Sequence, residues 1–118
     1  MNKKLMLFSV KALRDSCWKA KDEAAAAEKA CEAKLKAAHI ETEKRCKSIK
    51  TETAEKAREE QQSFLQQLFP SIKIDASEPS KWMDEFEVKV EALLQGYKDQ
   101  VLNAMVTIAT YEKLIFNF

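Results

Sequence analysis

Read for the spacing of its apolar positions, the chain divides into two long helical patterns around one interruption. Val10, Leu13, Cys17, Ala20, Ala24, Ala27 and Cys31 follow one another in alternating steps of three and four. That is the a/d seam of a heptad repeat. The steps from Cys31 to Leu35, Ala38 and Thr42 insert an extra four, a stutter that locally unwinds a supercoil. Through Cys46, Ile49, Thr53 and Ala57 the seam is poor, and it recovers at Phe64, Leu65, Leu68 and Phe69. With no Gly or Pro between residues 3 and 69, the pattern predicts one helix over 1–69, roughly 100 Å long at 1.5 Å per residue. Alanine fills most of its core positions and buries little apolar area compared with Leu or Ile. Local propensity favours the helix, but its pairing surface is thin.

Residues 70–79 read as a non-helical break. Pro70 disfavours the α conformation at Phe69, and Ile72 and Ile74 alternate with polar neighbours, as in a short extended stretch with one apolar side. A second amphipathic helix is expected over 80–118. Ser77 or Ser80 would cap it, Pro79 suits its first turn, and Asp84, Glu85 and Glu87 would face its N-terminal dipole. Its seam is bulkier than the first: Val90, Leu93, Tyr97, Val101, Ala104, Ile108, Tyr111, Ile115 and Phe118, with Leu94, Leu102, Met105, Val106 and Leu114 widening it. The fold class is therefore all-α, a coiled coil or helical hairpin.

Composition sharpens this. Of 118 residues 33% are charged, with one glycine, Gly96, and two prolines. Ala, Glu, Lys, Leu, Arg and Gln dominate, as in long helices and coiled coils. Helices of this kind draw their stability from packing an apolar face, so a protein partner or self-association is implied. Net charge is +1, split as +4 over residues 1–69 and −3 over residues 70–118. The whole-chain charge gives no reason to expect nucleic acid. Lys44-Arg45-Cys46-Lys47 is a short basic cluster, but Glu41, Glu43 and Glu52 flank it, as on a solvated helix face. Cys17, Cys31 and Cys46 are too far apart on a helix for an internal disulfide and read as reduced thiols of a cytosolic compartment.

Little here resembles the machinery of an enzyme. His39 and Cys46 share a helix face but stand two turns apart, roughly 10 Å, too far for a nucleophile and its base. Three separated cysteines and one histidine do not make a structural zinc site. One glycine cannot build a phosphate loop. No catalytic, cofactor or metal-ligating residue, and no small-molecule substrate, is therefore expected. No signal peptide is read at residues 1–14, and Val101–Phe118 is interrupted by Asn103, Glu112, Lys113 and Asn117. Any membrane anchor is expected outside these residues, unless the C-terminal helix touches lipid at the interface through Tyr111, Phe116 and Phe118.

The aromatic residues after the break carry the most information. Trp82 and Phe86 either fold back on Phe64, Leu68 and Phe69 to close a local core, or face a partner as anchors. On the second reading the partner-binding residues are Trp82, Phe86, Val90, Leu93, Tyr97, Ile108 and Tyr111, with the loop between Ile72 and Trp82 on display. The run from Phe64 to Ile74, followed by Trp82, Phe86, Glu87 and Lys89, resembles the coiled-coil rod of the kinectin and ribosome-receptor family. The resemblance covers about a third of the chain, Lys56 to Leu94. It implies a segment of a cytosolic rod on an endoplasmic-reticulum membrane protein, on its cytoplasmic face, with a scaffold or tether role in attaching ribosomes, kinesin or microtubules.

Overall fold

The structure is a computed structural model that describes residues 2–48 and 54–118, with side chains for 2–45 and 56–118. The fold is all-α: α1 spans Lys3–Ser48, α2 Ala54–Leu68 and α3 Pro79–Phe116, and no strand occurs among the described residues.

Each helix end has a local cause. Asn2 caps α1, its Oδ1 accepting from the Lys4 N–H at 3.0 Å, which satisfies one of the donors a helix start leaves free. α2 stops at Leu68, ahead of Phe69-Pro70, with the Phe69 N–H still bonded to the Leu65 carbonyl at 2.9 Å. α3 starts on Pro79, whose missing N–H costs nothing in a first turn. Ser80 therefore lies inside the helix and does not cap it. The first turn of α3 holds no acidic residue, so Asp84, Glu85 and Glu87 sit beyond the reach of the N-terminal dipole. Glu85 instead pairs with Lys89 at 3.2 Å, one turn on.

One expectation is overturned. The helix anticipated over 1–69 is two helices packed side by side. Arg45 Nη1 lies 3.3 Å from Glu60 Oε2, and Gln61 Nε2 donates to Thr42 Oγ1 at 3.3 Å. On one straight helix residues 15 to 19 apart would be separated by more than about 20 Å. Packing back on α1 gives α2 a buried face that solvent could not supply. Ile49 and Thr53, which belonged to that poor seam, lie outside the described residues.

Packing falls into two compact units, residues 1–29 with 95–118 and residues 30–94. The second unit holds most of the core. Cys31 and Ala38 from α1, Leu65 from α2, Phe69 and Ile72 from the connection, and Trp82, Phe86 and Val90 from α3 are all buried. The connection doubles back beside the helices rather than making a tight turn. Gln66 Nε2 donates to the Ile72 carbonyl at 3.1 Å, and Lys89, in the third turn of α3, bonds the Lys73 carbonyl. The first unit is a pair of helix segments, the start of α1 and the end of α3, and among its described residues only Ala24 and Ile108 are buried.

Candidate partner-binding site

The residues proposed as partner anchors divide by burial. Trp82 is 2% exposed and Phe86 3%. Their rings stack at 5.2 Å with an interplanar angle of 8°, and Phe86 meets Phe69 edge-on at 5.7 Å. Val90 and Ile108 are buried as well. Leu93, Tyr97 and Tyr111 are half-buried. Trp82, Phe86, Val90 and Ile108 therefore hold the chain's own helices together, and the local core around the break exists. Ile72 at one end of the connecting loop is buried too, so the Ile72–Trp82 loop does not hold out its large apolar ends.

A groove of about 240 Å³ lies among the three helices of the second unit. Leu35, Ala38, Leu65, Met83, Phe86 and Val90 supply its apolar lining, with His39, Thr42, Gln61 and Glu87 alongside. It is smaller than the usual small-molecule site of about 300–1,000 Å³. Thr42 and Gln61 spend their polar groups on each other, and the Thr42 hydroxyl also donates to the Ala38 carbonyl at 2.8 Å. His39 is exposed, its Nε2 3.1 Å from Glu43 Oε1 one turn on. The side chain of Cys46, the other half of the pair weighed in the sequence, lies outside the described residues. Burial pushes the Cys31 thiol above its ordinary value, with Lys34 opposing and Glu32 adding to the shift, so that sulfur stays protonated and inert. Among the described residues no group of three His, Cys, Asp or Glu side chains is placed to hold a metal ion.

What stands open lies elsewhere. Leu102 and Val106 are each 60% exposed, and Met105 is 52% exposed. The sequence suggested that these residues widen the α3 seam. They form a separate stripe instead. At 100° per residue, 102, 105, 106 and 109 centre roughly a third of a turn around the helix from the buried Ile108. Arg14 Nη1 reaches Glu112 Oε1 at 3.5 Å, marking one edge of the helix pair. Met105 and Ala109, two turns and one turn before Glu112, follow that edge, as does Trp18 one turn beyond Arg14. Trp18 is exposed, with the Lys21 ammonium 4.6 Å from the centre of its ring. A search of the sequence for a second apolar period on α3, offset from the first, would have found this stripe.

No helix among the described residues is long and apolar enough to cross a membrane. No protein-family model matches this chain, and no curated protein or solved structure matches it.

Proposed function

We propose that this chain is a non-catalytic helical scaffold segment that tethers proteins by packing its helices against a further helix. The observation that carries the reading is the open stripe of Leu102, Met105, Val106 and Ala109, three of which are large apolar side chains held in solvent. A helix with one apolar stripe is satisfied by one neighbour. α3 carries two, and its second stripe suits an assembly of more than two helices. The simplest source of the extra helices is a second copy, since a net charge of +1 leaves little repulsion between copies.

The resemblance of Lys56–Leu94 to kinectin-type rods supports a setting for this role. In it the chain is part of a cytosolic rod at the cytoplasmic face of the endoplasmic reticulum, in an apparatus that attaches ribosomes, kinesin or microtubules. Sedimentation across a concentration series tests the helical association. The chain is expected to self-associate, and a Leu102→Glu/Val106→Glu variant to remain monomeric with the same helicity. A wild-type chain that stays monomeric throughout, with full helicity, would remove the second copy and leave a helix of another protein as the occupant.

A further inference from the structure

The Arg14–Glu112 contact fixes more than one edge of the helix pair. From that level α1 runs back toward its start and α3 runs on toward its end, each by 1.5 Å per residue. Phe8 therefore comes level with about Phe118, and the start of one helix lies beside the end of the other. This tip gathers Leu5, Met6, Phe8, Leu114, Phe116 and Phe118, all exposed, with Phe8 at 73% and Phe116 at 90%. Six large apolar side chains in water at one end of a helix pair call for a cover.

Charge says what the cover is. Residues 1–14 contain Lys3, Lys4, Lys11 and Arg14 and no acid, and residues 111–118 contain Lys113 and Glu112. Glu112, the one carboxylate side chain there, is taken up by Arg14. Among the described residues Lys3, Lys4, Lys11 and Lys113 form no ion pair. Apolar side chains set among uncompensated lysines match the boundary of an anionic bilayer, where the rings and aliphatic groups enter the acyl region and the ammonium groups meet the headgroups. A neutral partner helix would leave the four lysines without counter-charge. We propose that this tip seats on an anionic lipid surface, a role distinct from helix pairing through Leu102, Met105 and Val106.

The full chain is floated with vesicles of phosphatidylcholine alone and of phosphatidylcholine mixed with phosphatidylserine. Binding to the mixed vesicles is expected. It should be released as ionic strength rises from about 0.1 M to about 1 M, where the Debye length falls from about 10 Å to about 3 Å. Neutralising Lys3, Lys4 and Lys11 to Gln should weaken partitioning roughly fivefold per residue. Phe8→Glu/Phe116→Glu should abolish it, with helicity retained because both side chains are exposed. Absence of binding, equal binding to both vesicle types, or binding that survives Phe8→Glu/Phe116→Glu would each overturn the proposal. So would capture of an acidic amphipathic peptide by a chain that ignores vesicles. Retention of self-association by Phe8→Glu/Phe116→Glu, alongside loss of flotation, would separate this role from the helical scaffold.

Discussion

The two packing units solve the same problem with unequal material. Residues 30–94 wrap three helices and a returning connection around Trp82, Phe86 and Phe69, and eight apolar side chains are buried there among the described residues. Residues 1–29 with 95–118 put two helix segments together and, among the described residues, bury Ala24 and Ile108 alone. Among the described residues, eleven of the thirteen exposed large apolar side chains belong to residues 1–29 and 95–118. Two helices can shield only one stripe of each other, and alanine-rich α1 offers little to shield with. A third helix, as α2 provides for residues 30–94, changes that geometry. The well-packed unit is thus a structural core, and the poorly packed one leaves its large apolar side chains in solvent.

The strongest way to break this contrast is Trp82→Ala. Removing a buried indole stacked on Phe86 should cost about 3–5 kcal/mol, read by urea unfolding. Leu102→Ala, on an exposed stripe, should change the stability of the monomer by no more than about 0.5 kcal/mol. Comparable losses at the two sites would mean that the units are packed alike. Hydrogen exchange in the wild-type chain should also show greater protection over residues 31–45 and 79–94 than over 5–25 and 97–116.

The legible part of this fold was periodicity and punctuation. Pro70 and Pro79 announced the break, and Trp82 and Phe86 announced a large apolar surface beside it, with its use as core or as partner anchor left open. The packing of α2 back on α1 was hidden, because no Gly or Pro lies between residues 3 and 69 and Ala, Glu and Lys favour helix throughout. Its trace was the run of weak seam positions after Thr42, which reads equally as a poor coiled coil. The open stripe on α3 was hidden for a different reason. Leu102, Met105 and Val106 fall close enough to the seam in sequence to look like its margin, and only the position of the neighbouring helix decides which side is covered.

Smaller effects sharpen the contrast from the weaker side. Gly96 sits within α3 without a positive φ, and a Cβ built on it meets no atom within 4 Å. Gly96→Ala should therefore stabilise the chain by about 0.5–1 kcal/mol, by restricting the unfolded state, seen as a rise in Tm. A fall in Tm would show that a neighbour approaches this backbone closely. At Cys31 the folded state holds the thiol protonated more firmly than the unfolded chain does. Its contribution to stability is complete below the ordinary value of 9.0 and is lost as pH rises through the higher folded value. Cys31→Ala should remove this component of the alkaline decline. At neutral pH iodoacetamide should label the half-buried Cys17 faster than Cys31.

The smallest expected effect tests the register on which the tip depends. Arg14 also contacts Asp15 at 3.2 Å, so deleting either partner alone confounds the cross-helix term with a local one. A double-mutant cycle with Arg14→Gln and Glu112→Gln isolates it. The two side chains are 25% and 49% exposed, and water screens such a pair. The coupling should be about 0.2–1 kcal/mol and shrink as salt is raised. A coupling of zero at low ionic strength would detach Arg14 from Glu112. It would also remove the level that places Phe8 beside the end of α3. A measurable coupling would hold Lys4, Leu5 and Phe8 to the same end as Leu114 and Phe116, where exposed rings lie among lysines that form no ion pair with the described residues.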